Sequence, residues 1–197
     1  MSIDKSYFIR EIAIPNLNQA PVIAELDVDI LFYEKEILTD LLGYELYAAY
    51  ITGIAGETPE AKWTDLRDGA DFSFEFCGRT VNTRWNGFEN SEKDSLIAYY
   101  VYANWVSKRM QTLTSIGVGA ASSENSSAVT GERKMVGAWR RFLELYGKAP
   151  DWVCDYAHEP TMHFNEKPSA YNFLLANFDN YDNWIFTKRE DVVIGGF

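Results

Sequence analysis

One segment of this 197-residue chain constrains its fold more than any other. Residues 92–114 have helical spacing, and their apolar side chains form two stripes: Leu96, Tyr100, Ala103, Val106, Met110 and Leu113 in one, and Ile97, Val101 and Trp105 in the other. The first half of the helix is therefore apolar nearly all round, and such a helix has to be covered by the rest of the chain. Ser91 and Asp94 resemble a capping box at its start. We predict that this helix is the buried centre of the fold.

Five further segments have the periodicity of helices and would surround the central one. They are residues 27–42, 44–54, 59–68, 132–146 and 169–178. Three other segments lack a regular period: an extended N-terminal arm at 1–26, a small-residue loop at 115–131 and an irregular segment at 147–168. The loop has twelve Gly, Ala, Ser or Thr residues in seventeen, so we expect it to be flexible. The prediction is a single domain over residues 1–197.

Residues 71–86 change from the helical period to strict alternation, which is typical of a β-hairpin with one apolar face. If Gly78 and Arg79 form the turn, the facing pairs are Phe76 with Val81, Phe74 with Thr83, and Phe72 with Trp85. The segment from Trp184 to Ile194 is a candidate for a second hairpin. The predicted fold class is mainly α, a helical bundle around a central buried helix with a small antiparallel β-hairpin element. The alternative label is α+β.

The charge balance and the composition of the first residues argue against several classes of protein. Acids outnumber bases by 29 − 18 = 11, and the isoelectric point is near 4.6. This balance argues against a protein that wraps nucleic acid or coats an anionic membrane. We expect no sequence-specific nucleic acid binding and no membrane partner. The first residues contain Asp4, Glu11 and Pro15, so we expect no signal peptide. The chain is therefore predicted to be cytoplasmic, with its two cysteines, Cys77 and Cys154, reduced.

One cluster has the residue types of a metal site. Asp151, Cys154, His158 and His163 could supply zinc with thiolate, imidazole and carboxylate ligands. The cluster lacks the CxxC turn of most structural zinc sites, and a plain loop is the preferred interpretation. Nothing else in the sequence has the spacing of a nucleophilic or dinucleotide-binding motif. We therefore expect no catalytic residue, no metal and no cofactor.

The sequence has one basic cluster, formed by four residues of the predicted helix at 132–146 and by Lys148 just after it. Exposed charge on a helix is most often only a solvated face, but here it could also contact an acidic neighbour, including another copy of the chain. The candidate partner-contact residues are Arg133, Lys134, Arg140 and Arg141 in this helix, and Ile116 and Val118 in the small-residue loop.

Several runs of the sequence, taken together, indicate a family. They are YEKEILTDLLGYELYAAY, KWTDLRDG, the Phe-rich hairpin, NGFENSEKDSLIAYYVYANWV, a Ser/Gly loop with ENSSAV, and AWRRFLELYG. The arrangement, over about residues 30–190, resembles uncharacterised proteins of tailed phages and prophages in the head–tail connector (neck or adaptor) class.

The resemblance implies a non-enzymatic, helix-rich subunit that forms a ring between the portal and the tail. Its partners would be other copies of itself, the portal and tail-side virion proteins. It would be made in the bacterial cytoplasm and would become part of the virion. An acidic surface would suit a lumen along which DNA slides without sticking. The alternatives are another intracellular virion component or protein-binding module and, less favoured, a hydrolase.

Overall fold

A computed structural model describes residues 3–76, 79–114, 117–120, 129–147 and 168–189, and for residues 76, 111–114, 117–120 and 129–132 it describes the backbone alone. The helices are α1 (Ala20–Leu42), α2 (Tyr44–Ile54), α3 (Ala61–Asp68), α4 (Leu96–Met110), α5 (Val129–Tyr146) and α6 (Ala170–Ala176). The strands are β1 (Ala70–Phe76), β2 (Arg79–Trp85), β3 (Gln111–Thr114) and β4 (Gly117–Ala120). Strand β1 pairs with β2, and β3 pairs with β4, so the strands form two separate two-stranded antiparallel sheets. The predicted fold class, mainly α with a small β-hairpin, is confirmed.

Helix α4 is the centre of the fold, as predicted. Leu96, Tyr100, Ala103 and Val106 are all buried, with at most 8% of each residue exposed. Helices α1 and α5 both pack against α4. Because neighbouring helices cover the apolar stripes, α4 has almost no polar side in its first three turns.

The start of α4 differs from the prediction. The helix begins at Leu96, and Ser95 acts at its N-terminus instead of Ser91. The Ser95 hydroxyl accepts a hydrogen bond from the backbone N–H of Ile97 at 3.3 Å and donates one to the Phe88 carbonyl at 2.7 Å. The predicted capping box is wrong because Asp94 makes an ion pair with α5 instead.

The end of α4 and the small-residue loop also differ from the prediction. The helix stops at Met110, and β3 then pairs with β4 so that Leu113 lies opposite Val118. Residues 117–120, predicted to be flexible, are therefore a strand, and α5 already begins at Val129. Ladder hydrogen bonds use backbone groups alone, so small side chains are no obstacle to pairing. Residues 115–116 and 121–128 lie outside the described residues.

The first hairpin has its predicted apolar face but a different register. Phe74 lies opposite Val81 and Phe72 opposite Thr83, so every pair is shifted by two residues. A shift of two leaves each side chain on its original face, and a shift of one would have reversed the faces. Helix α6 covers the apolar face: the ring centroids of Phe72 and Phe173 are 5.4 Å apart.

The N-terminal segment belongs to the core instead of forming an extended arm. It contains two short 3₁₀ helices, Lys5–Tyr7 and Arg10–Ile12, and α1 starts at Ala20 instead of Asp27. Pro21 lies in the first turn of α1, where a missing N–H costs no helical hydrogen bond. The segment's buried apolar side chains are Ile3, Tyr7, Phe8, Ile12 and Ile14.

Residues 184–189 pack along the C-terminal end of α1 and form no strand, so this part of the candidate second hairpin is wrong. The Trp184 indole N–H donates to the Leu41 carbonyl at 2.8 Å, and the Thr187 N–H donates to the Asp40 carbonyl at 2.8 Å. These bonds satisfy carbonyls that the helix itself leaves without a donor. Residues 190–194, and 148–167 of the predicted irregular segment, lie outside the described residues.

Candidate interaction surfaces

The outer face of α1 is an apolar surface, which we call the α1 stripe. It consists of Ala20, Pro21, Ala24, Val28, Leu31 and Phe32, which are all the exposed residues between positions 20 and 34. Val28, Leu31 and Phe32 protrude furthest, at 64%, 58% and 64% exposed. An exposed helix face in a soluble domain is normally polar, so contiguous exposed apolar residues indicate an interaction site.

The polarity of α1 is partly inverted, because its inner side carries buried acids. Asp29 and Glu34 are both buried. Lys108 on α4 donates to Asp29 at 3.0 Å, and this hydrogen bond raises the pKa of the Lys108 ammonium group. The inner side of α1 therefore joins α4 through charge as well as through apolar contacts. The apolar stripe is left on the outside, where the described part of the chain does not cover it.

A second surface is a cleft between α4 and α5, with a volume of about 350 Å³. We call it the α4–α5 cleft, and its lining residues are Ala103, Asn104, Ser107, Met135, Val136, Trp139 and Arg140. Trp139 is half-buried and forms one wall. Its ring lies 5.1 Å from that of Phe142 and 5.9 Å from that of Tyr100, centroid to centroid. The core therefore fixes the position of this wall.

Three of the predicted basic contact residues remain on the surface. Arg133, Lys134 and Arg140 are exposed on α5, and we call them the basic edge. No hydrogen bond or ion pair joins any of them to another residue in the described parts of the chain. Arg140 also lines the α4–α5 cleft. Within the described residues, the basic edge therefore has no acidic partner.

Arg141 does not belong to that edge. Its guanidinium lies 2.6 Å from Asp94 and 2.9 Å from Glu144, and it links α5 to the segment before α4. Burial lowers the pKa of Arg141, but the hydrogen bonds and negative charges of Asp94 and Glu144 together outweigh burial and leave the pKa above its ordinary value. Of the other predicted contacts, Ile116 lies outside the described residues, and only the backbone of Val118 is described.

The predicted metal and thiol candidates cannot be placed, because Cys77, Asp151, Cys154, His158 and His163 lie outside the described residues. Elsewhere, across the ranges that the structure does describe, no three His, Cys, Asp or Glu side chains form a group that could hold a metal ion.

Two tyrosines of α4 make buried polar contacts with the surrounding chain. The Tyr99 hydroxyl donates to Glu11 at 2.5 Å, and the Tyr100 hydroxyl donates to Glu36 at 2.9 Å. Burial raises the pKa of both tyrosines. Each remains a neutral hydrogen-bond donor at physiological pH, so the two side chains tie α4 to the N-terminal segment and to α1.

The α1 stripe is not among the predicted contact sites, although its pattern is readable in the sequence. Ala24, Val28 and Leu31 recur at spacings of four and three, and Asp29 falls on the opposite side of the same helix. Projection of α1 onto a helical wheel would have separated the stripe from the acids. The α4–α5 cleft has no such signal, because it depends on how two helices pack.

None of the helices in the described ranges combines the length and hydropathy required to cross a membrane. Comparisons with protein-family models, curated proteins and solved structures found no match to this chain. The α1 stripe, the α4–α5 cleft and the basic edge are therefore the observations from which a function can be inferred.

Proposed function

We propose that the chain is a non-enzymatic structural subunit that assembles with copies of itself into a ring, in the head–tail connector of a phage or prophage. The α1 stripe carries the assembly part of this proposal. Val28, Leu31 and Phe32 each expose more than half of their surface. Burial of apolar area stabilises by about 25 cal/mol per Å², so such a face favours association with another protein surface.

A ring requires two different surfaces on each subunit, because every copy contacts its two neighbours through unlike faces. This chain has such a pair: the α1 stripe, and the α4–α5 cleft with its basic edge. The α1 stripe lies on α1, and the cleft lies between α4 and α5. The central helix α4 packs against both α1 and α5. Such a pair of unlike surfaces is what head-to-tail assembly requires.

The connector part of the proposal rests on the sequence runs that resemble that class. The net charge of −11 is in keeping with a lumen that repels the DNA backbone. In this role the chain would contact the portal on one side of the ring and tail-side proteins on the other. It would need no catalytic residue and no sequence-specific contact with DNA.

Light scattering and negative-stain electron microscopy over a concentration series test the assembly. We expect monomers at low concentration and closed rings at high concentration. Phe32→Lys should abolish the rings, because it places a charge in the α1 stripe. Phe178→Lys is the matched control, since Phe178 is 54% exposed but lies outside the stripe. A chain that stays monomeric at every concentration and salt would refute the assembly.

The connector assignment has its own test. Portal, terminase and major capsid genes should lie beside the gene for this chain, and the neighbouring portal protein should bind the rings in a pull-down. Rings that form but do not bind the portal protein would refute the connector role without contradicting the proposed ring assembly.

A further inference from the structure

We infer, on the basis of the proposed function, that the α1 stripe of one subunit docks into the α4–α5 cleft of the next copy. Phe32 and Leu31 would enter the cleft against Trp139, and Asp27 would face the basic edge. The occupant of the cleft is thus a second copy of this chain. The size of the cleft, the charges of the two helices and the ion pairs that α1 already makes support this docking.

The cleft is large enough to hold side chains of the α1 stripe. The cleft has a volume of about 350 Å³, and part of its wall is apolar, formed by Met135, Val136 and Trp139. Pockets of roughly 300–1,000 Å³ accommodate small ligands, so this one has room for protruding side chains. On α1, Leu31 and Phe32 are adjacent and both exposed. A buried aromatic anchor in a fixed pocket is the usual centre of a strong interface.

The charges of the two helices are complementary. Helix α1 has one lysine and six acids, 1 − 6 = −5, and helix α5 has four basic residues and two acids, 4 − 2 = +2. Unlike charges across an interface steer the partners together and disfavour the wrong orientation. Contact of α1 with α1 would instead bring two negative helices together. Charge therefore favours the cleft over a second α1 stripe.

One acid of α1 is the best candidate to face the basic edge. Other acids on the helix already pair within the subunit: Glu25 with Arg109, Asp29 with Lys108, and Glu36 and Asp40 with Arg189. Asp27 has no such partner in the described parts of the chain. It precedes Val28 and lies one turn before Leu31, so it flanks the stripe. Arg140 is its natural partner, since it lines the cleft.

A charge-reversal mixing experiment tests this pairing. Asp27→Lys and Arg140→Glu should each weaken assembly by about tenfold or more, because each places like charges together. Mixed in equal amounts, the two variants should recover assembly, since every contact in an alternating ring again joins unlike charges. Arg79→Glu is the control for Arg140→Glu: it makes the same change in net charge on the exposed β2 end of the hairpin. Failure of the mixture to recover would refute the pairing.

Photo-cross-linking then locates the contact directly. Phe32 is replaced by the phenylalanine analogue p-benzoylphenylalanine, and the rings are assembled with isotopically labelled wild-type subunits. We expect cross-links between labelled and unlabelled copies within residues 133–140. Rings whose cross-links fall elsewhere would overturn this docking but leave the ring proposal standing. The absence of both rings and cross-links would overturn both. A segment of the same subunit or a small ligand in the cleft would keep Phe32 of the neighbouring copy out, so cross-links would then not fall within residues 133–140.

Discussion

Two adjacent arginines of α5 should respond to charge reversal in opposite ways. Arg140 is exposed at the edge of the α4–α5 cleft, whereas Arg141 contacts Asp94 at 2.6 Å and Glu144 at 2.9 Å. From sequence alone, reversing both arginines would be expected to leave the monomer's stability within about 0.5 kcal/mol of wild type, as exposed charges usually do. The structure restricts that expectation to Arg140.

The contacts of Arg141 set the expected magnitude. Hydrogen bonds to charged groups contribute about 1.5–3 kcal/mol, and this value must be reduced because 37% of the arginine side chain is exposed. We therefore expect Arg141→Met to cost about 1–2 kcal/mol. Arg141→Glu adds repulsion from Asp94 and Glu144, so we expect about 2–4 kcal/mol. For a chain of this size, the cost of Arg141→Glu corresponds to a fall of roughly 4–16 °C in melting temperature.

Circular dichroism melts of dilute monomer measure both variants at one protein concentration. Arg140→Glu should melt within about 2 °C of wild type. A double-mutant cycle with Asp94→Asn isolates the pair, and the cost of Arg141→Met should fall by about 1 kcal/mol in that background. Equal melting temperatures for the two arginine reversals, or no coupling in the cycle, would show that the Asp94–Arg141 pair does not hold α5 in place.

Three further predictions concern the core, the backbone and the tyrosines. Leu96→Ala should cost about 2–5 kcal/mol in urea unfolding, because Leu96 is buried in α4, and an unchanged midpoint would contradict its central place. Gly87→Ala should destabilise the chain, since a Cβ there would lie 2.3 Å from the Arg67 carbonyl oxygen. A Cβ at Gly137 would meet open space, so Gly137→Ala should stabilise α5 by up to about 1 kcal/mol. Burial raises the folded-state pKa of several tyrosines above the ordinary value of 10.0, so stability should be full below pH 10.0 and fall as pH rises beyond it. Tyrosinate absorbance of the buried group should then appear together with loss of helix, and complete ionisation of a still-folded chain would contradict this.

Local pattern predicted the elements of this fold better than it predicted their ends. The apolar character of residues 96–106 required a central helix, and the alternation of Phe72 and Phe74 required a hairpin with one apolar face. The end of α4 depends on a segment later in the chain, because β3 follows α4 directly and pairs with β4, which begins only at Gly117. A helix end that depends on a later strand leaves no signal in its own residues.

The candidate surfaces show the same division. Exposure of Arg133, Lys134 and Arg140 follows from their place on the polar side of an amphipathic helix. The separation of Arg141 from that group follows from Asp94, which lies 47 residues earlier in the chain. Only the packing of α5 against α4 brings these two residues together, and no spacing rule within α5 could distinguish Arg141 from Arg140.

The contact between residues 184–187 and the end of α1 has a consequence for the chain while it is being synthesised. Leu41 and its donor Trp184 are 143 residues apart. At translation rates of about 5–20 residues per second, the ribosome needs about 7–29 s to make the intervening chain. During that interval, α1 is present without the segment that completes its C-terminal end, and until α4 is made the apolar inner side of α1 is also uncovered. The nascent chain, more than the finished subunit, is therefore the form that we expect chaperones to recognise.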